Sequence, residues 1–185
     1  MAAPQVAIEV DPETGIWRTD SLPMVYVPRH FLVNNQRAME EALGVEAYRR
    51  VLTPAGDRSA LQWCTAEARS HGLQPEETVR HYLQRLSQRG WGQFSIEQLD
   101  AVAGTGRFSL RYSVFALEYG SAAGRSVCYM FEGFLVGAMR YLLQQAGRQG
   151  EPRCREVACA ADGRHDACRF ELETMQTGGG PTRSE

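Results

Sequence analysis

From His30 to Gly90 apolar positions recur three and four residues apart, and from Trp91 to Phe115 they fall roughly at every second residue. The first spacing is that of an amphipathic helix, the second that of a half-buried strand. The run Phe31-Leu32-Val33 through Ala42-Leu43 predicts a first helix stopped by Gly44. Residues 45–52 read as a short second helix, ended by Pro54-Ala55-Gly56 because proline lacks a backbone donor and disfavours a helical residue before it. A third helix is expected over residues 57–71, with Asp57 as N-cap and Gly72 beyond its end. A fourth follows Pro75, places Val79, Tyr82, Leu83 and Leu86 on one face, and stops at Gly90.

The alternating segments 91–97 and 108–115, with Gly104-Thr105-Gly106 between them, predict a β-hairpin. Helical spacing returns over residues 128–145, apolar on more than one face through Met130, Phe131, Phe134, Leu135, Met139, Leu142 and Leu143. A helix of that kind belongs in the centre of the fold. Its Gly133 and Gly137, about one turn apart, leave room for another backbone. Strands are expected again around residues 155–158 and 169–173. The order helices, hairpin, helix, hairpin implies an α+β fold with a mainly antiparallel sheet. Residues 1–29, with the turn cluster Asp11-Pro12-Glu13-Thr14-Gly15 and two prolines in 22–28, read as irregular or extended, with an edge segment at best. Residues 30–175 form the domain, and the Gly-rich residues 176–185 are expected to be a disordered tail.

The length of 185 residues and 43% hydrophobic content suit one domain with a sizeable core. The net charge is −2, and the 20 basic residues, all arginine, are scattered among acids, so no nucleic-acid partner is expected. No apolar run is long enough for a bilayer and no leader pattern opens the chain, which points to a cytoplasmic protein without a membrane partner. In that setting five cysteines argue for thiols or a metal over disulfides.

Three of the five lie in Cys154-Arg155-Glu156-Val157-Ala158-Cys159 and Asp162-Gly163-Arg164-His165-Asp166-Ala167-Cys168. A hairpin turning at Asp162-Gly163 brings Cys159 and Cys168 side by side, with Glu156 in reach. Thiolates and one carboxylate suit a divalent metal, whose excess negative charge Arg153, Arg155 or Arg169 can offset. Alternation puts Cys154 and Glu156 on one strand face and Cys159 on the other unless a bulge intervenes. Cys154, Glu132 and His165 are alternative ligands; otherwise Glu132 reads as a partly exposed carboxylate and His165 as an exposed loop residue. Cys64 reads as core, and His30, His71 and His81 show no metal or triad spacing. Trp91, Phe94, Phe108, Tyr112, Tyr129, Phe131 and Phe134 can line a pocket for an apolar or quaternary-ammonium ligand, or simply fill the core.

The ordered pattern Cys128…Gly133-x-x-x-Gly137…Glu156-x-x-Cys159…Cys168 resembles the 4-vinyl reductase domain, over roughly the second half of the chain. That family includes the sensory domains of phenol- and toluene-responsive activators and a protein tied to 4-vinyl reduction in bacteriochlorophyll synthesis. Thr14-Gly15-Ile16-Trp17, residues 22–31 and residues 86–92 resemble a stand-alone branch similar to proteins encoded beside dimethylglycine and betaine breakdown genes. The resemblance implies the 4-vinyl reductase and TRAPP-like (NO-signalling and Golgi-transport) fold. It also implies a homodimer formed through N-terminal helices, and a zinc ion held by Cys128, Glu156, Cys159 and Cys168. The expected function is non-catalytic binding of a small organic ligand, as a sensor or accessory. The alternatives are an enzyme or accessory of tetrapyrrole 4-vinyl reduction, for which no Rossmann or flavin motif is found, and an operon-encoded interaction scaffold.

Overall fold

A computed structural model describes residues 5–20 and 22–176. Within the N-terminal segment three short strands, β1 (Glu9–Val10), β2 (Trp17–Thr19) and β3 (Leu22–Met24), pair antiparallel in that order. Pro23 is tolerated because β3 is an edge. Asp20, just after β2, ties this small sheet to the helices through Arg85 at 3.0 Å and Arg89 at 2.8 Å. The tail expected at 176–185 lies outside the described residues from 177 onward.

Helix α1 (Arg29–Leu43) ends at Gly44, whose φ of 83° is open to glycine and strained for other residues. The two helices expected next are a single helix, α2 (Val45–His71), that runs through Pro54. An interior proline costs about 3 kcal/mol in an isolated helix. Here α2 makes the most extensive helix–helix contact in the molecule, and that packing outweighs the local breaker. After the left-handed Gly72, α3 (Pro75–Gln88) starts with proline in its first turn and a reciprocal Gln74/Glu77 capping box.

Strands β4 (Gln93–Asp100) and β5 (Thr105–Arg111) form the expected hairpin. Its turn lies at residues 101–104, earlier than expected, and is fixed by the Ala103 N–H donating to Asp100 Oδ1 at 2.7 Å. The second strand also stops short of the expected Phe115. Tyr112 turns to φ 54° and the Ser113 hydroxyl accepts from the Ala116 N–H, which starts the short helix α4 (Val114–Tyr119). Helix α5 (Met130–Gln145) is buried along most of its length. It precedes β6 (Glu151–Ala158), a 3-10 turn (Ala160–Asp162) and β7 (Cys168–Met175).

The four long strands form one antiparallel sheet in the order β4-β5-β7-β6. Its inner face carries Phe108, Leu110, Phe170 and Leu172 against α5, and its outer face presents Arg107, Arg153, Arg155, Arg169, Glu171 and Glu173 to solvent. Helix α5 is thus sandwiched between α2 and the sheet. The sandwich depends on bare backbone: a Cβ on Gly133 would lie 2.5 Å from the Thr53 carbonyl oxygen, and one on Gly137 would overlap the Asp57 carbonyl. Overpacking of this kind costs about 1–3 kcal/mol. Gly137→Ala is therefore expected to lower the unfolding free energy by about 1–3 kcal/mol, read as a lower denaturant midpoint at an unchanged m-value.

Candidate metal centre and aromatic cluster

The four residues expected to meet do meet. Cys128, Glu156, Cys159 and Cys168 are all buried, and their donor atoms lie within 4.8 Å of one another. Each comes from a different structural device. Cys128 precedes α5 and is not on it, so it and Glu132 do not share a helix face. Its neighbour Tyr129 is pinned by donating to Glu40 Oε1 at 2.7 Å, and its own N–H donates to Glu156 Oε2 at 3.0 Å. Glu156 sits on the inner face of β6. A bulge between Glu156 and Ala158 shifts the register by one residue, so that Cys159 also turns inward. Cys168 opens β7 directly across the turn.

The Cys168 and Cys159 sulfurs are 3.8 Å apart and those of Cys128 and Cys168 3.4 Å apart. Four ligands at about 2.3 Å from a zinc ion have tetrahedral edges of about 3.8 Å, so the set is nearly at metal-binding size. None of these cysteines is in a disulfide. The polar surroundings fit a cation as well. Glu156 Oε1 is buried with no hydrogen-bond partner, so this carboxylate has an oxygen free to take a cation. Hydrogen bonds from Cys128 and Cys168 hold the Cys159 thiol below the ordinary thiol range, which makes it the natural first thiolate. Burial, then repulsion by Cys159, pushes Glu156 up to about 9, and burial pushes Cys128 well above the ordinary thiol range. A cation at the centre would relieve all three conditions.

Among the described residues the alternative ligands stay outside this group. His165 hydrogen-bonds Asp162 in the exposed loop. Cys154 is half-buried one inward position before Glu156 on β6. Glu132, expected to be partly solvated, is 3% exposed. It is paired with Arg49, whose Nε donates to Oε2 at 2.8 Å, and its Oε1 accepts the Glu156 N–H at 2.7 Å. Glu132 is thus a support that fixes the backbone of a cluster residue. The cation balancing this region is Arg49; Arg153, Arg155 and Arg169 face solvent on the other side of the sheet.

Next to the cluster, Phe131 is ringed edge-on by Phe94 (5.3 Å between centroids), Phe115 (5.7 Å), Phe134 (5.9 Å) and Trp91 (6.0 Å). Phe108 is buried in the same core. Tyr112 and Tyr129 do not join them: Tyr112 is 65% exposed and Tyr129 packs on Tyr48. Instead the cluster continues through Tyr82, 6.4 Å from Phe134, to Trp63, 4.9 Å from Tyr82. Trp63 is buried and its Nε1 donor has no partner. The sequence carried no sign of this beyond a tryptophan on a helix. Glu67, His71 and His81 were also missed; their donor atoms converge although two lie on α2 and one on α3.

A family profile described as "Domain of unknown function (DUF5943)" matches residues 2–97, just over half of the chain. The chain belongs to this family. No curated protein sequence matches it. Among solved structures, it is similar to the phenol-responsive sensory domain of the transcription activator PoxR with phenol. The TM-score there is 0.74 at 18% identity, covering 90% of this chain and 84% of that one. It is also similar to a trafficking protein particle complex subunit 3 from Naegleria fowleri covalently bound to palmitic acid (TM-score 0.56, 11% identity, 80% and 95% covered). A vinyl-4-reductase family protein from Methanocaldococcus jannaschii matches at TM-score 0.53 and 12% identity, with 83% and 85% covered. The DUF5943 chain therefore has the fold that the C-terminal motif suggested. No helix among its described residues is long and apolar enough to cross a membrane.

Proposed function

We propose that this protein recognises a small organic molecule without transforming it, on a domain held in shape by a structural zinc ion. The observation that carries the recognition reading is the unpaired, buried Trp63 Nε1 at the end of the aromatic cluster. Burying a donor without an acceptor costs about 1–3 kcal/mol, and a ligand oxygen arriving there recovers it. Edge-to-face rings at 5–6 Å supply an apolar and cation-tolerant wall. The ligand class is thus a compact molecule with an oxygen acceptor and an aromatic or methylated-ammonium body. The phenol in the PoxR sensory domain supports the first kind. The N-terminal resemblance to proteins encoded beside methylated-amine breakdown genes supports the second.

Zinc would be held by Cys128, Glu156, Cys159 and Cys168, a closed set that supplies cross-linking and no open position for chemistry. It would join the end of β6 and the start of β7 to the residues before α5, three positions ahead of Phe131, so the metal and the aromatic wall share one scaffold. A cytoplasmic homodimer belongs to the same reading. Its free cysteines suit a reducing compartment, and Val25, Tyr26 and Phe31 in the N-terminal half expose large apolar surfaces.

Thermal unfolding of zinc-loaded protein with phenol, betaine and dimethylglycine tests recognition. A ligand is expected to raise stability with concentration, by about 2.7 kcal/mol at a hundredfold excess over its Kd. Trp63→Phe keeps the ring packing and removes the unpaired donor, so it should leave the free protein folded and abolish the gain. No gain across the series, or an equal gain in Trp63→Phe, would sink the reading.

A further inference from the structure

The hairpin of α2 and α3 brings together three ligand-type side chains remote from the cysteine cluster in sequence. Glu67 and His71 are one turn apart on α2, and His81 projects from α3. Both imidazoles present Nε2 to the same carboxylate oxygen, Glu67 Oε2, His81 at 3.1 Å and His71 at 3.3 Å. Glu67 is 1% exposed, and among the described residues its only ion-pair partners are these two rings. Nitrogen and oxygen ligands at about 2.0–2.1 Å from a tetrahedral ion are about 3.3 Å from one another, so both contacts already have the length of a coordination edge. The third edge, between a ligand nitrogen of each ring, is within 4.8 Å.

We infer that Glu67, His71 and His81 form a second metal site, selective for a divalent transition ion such as zinc, nickel or copper. Two imidazoles and a carboxylate suit these ions over calcium or magnesium, which take all-oxygen sets. The site differs in kind from the cysteine cluster. It has three protein ligands, and the His71 side chain is 44% exposed, so at least one coordination position opens to solvent. An exchangeable ion with a bound water therefore belongs here, and a permanent structural ion does not. The buried Glu67 fixes the ion from below while the two rings close over it from adjacent helices, so occupancy clamps the α2–α3 hairpin. His81 also stacks on Trp63, with centroids 5.6 Å apart and planes 27° apart. The ion thus lies one ring away from a fluorescent side chain.

The test uses tag-free, full-length protein already carrying whatever zinc its cysteine cluster retains. Calorimetric titration with zinc is expected to show one further equivalent per chain. His71→Gln and His81→Gln should each weaken that equivalent by about tenfold or more while the zinc retained beforehand stays unchanged. Because His71 is largely at the surface, its substitution leaves the fold intact and keeps the experiment decisive. Copper(II) or nickel(II) is expected to quench tryptophan fluorescence in the wild type, and much less in Trp63→Phe and His71→Gln. Absence of a further equivalent, or one whose affinity is the same in both histidine variants, overturns the inference. The result does not depend on the aromatic cluster binding a ligand, and zinc taken up by an unfilled cysteine cluster is told apart because neither histidine substitution touches that cluster.

Discussion

Cys159→Ser is expected to reduce retained zinc from about one per chain to none and to cost on the order of 5 kcal/mol, at the upper end of single-substitution effects. The size follows from its position. The Cys159 sulfur accepts from Cys168 at 3.8 Å and is, with Glu156, one of the two donors that the end of β6 brings to the cluster. A serine oxygen is shorter-reaching and a poor ligand in its place. Without the ion, two buried thiols, an unpaired Glu156 Oε1 and no cross-link remain where β6, β7 and the start of α5 meet. Elemental analysis and denaturant midpoints of the two proteins check this together. Cys154→Ser serves as the control: that thiol lies outside the cluster, so it should keep both the metal and the midpoint. Wild-type protein without metal, and a midpoint unmoved in Cys159→Ser, would mean that these cysteines are simply core.

The second large effect is expected from Arg49→Leu, about 3 kcal/mol of destabilisation. Glu132 is nearly inaccessible and depends on Arg49 for its charge balance; Arg49 itself is one-fifth exposed, which places the loss at the lower end of the 3–5 kcal/mol typical for breaking a buried pair. Glu132→Gln in the Arg49→Leu background should recover much of it. The neutral amide removes the stranded charge, yet its oxygen still accepts the Glu156 N–H that the carboxylate accepts at 2.7 Å. Denaturant titration of the single and double variants decides the matter. A double variant less stable than Arg49→Leu would show that the ion pair is not what Glu132 requires.

The parts of the molecule legible in the sequence are those encoded by spacing within one element. Val79, Tyr82, Leu83 and Leu86 marked the buried face of α3, and Gly133 and Gly137 marked where another backbone comes close. The Asp162-Gly163 turn was enough to pair Cys159 with Cys168. What escaped depends on partners far along the chain. Pro54 looked like a boundary because its local cost is real, and only packing against α5 reverses the outcome. Glu132 looked solvated because nothing near it in sequence announces Arg49, 83 residues away. Glu67 and His71 have a helical spacing, but the third member of their group arrives from the next helix. The unpaired state of Trp63 Nε1 is a property of three-dimensional surroundings alone.

The bulge at Val157 has a further consequence. Alternation along a strand is a two-state count, and the cysteine–glutamate cluster has Glu156 and Cys159, three positions apart, on the same side. An odd separation allows that only when one residue is skipped, and the exposed Val157 is the skipped one. The identity of its side chain is therefore nearly free, while its presence is not. The chemistry of the cluster rests on parity: a change in residue number within this short stretch would aim a ligand at water, whereas many changes of residue type would not.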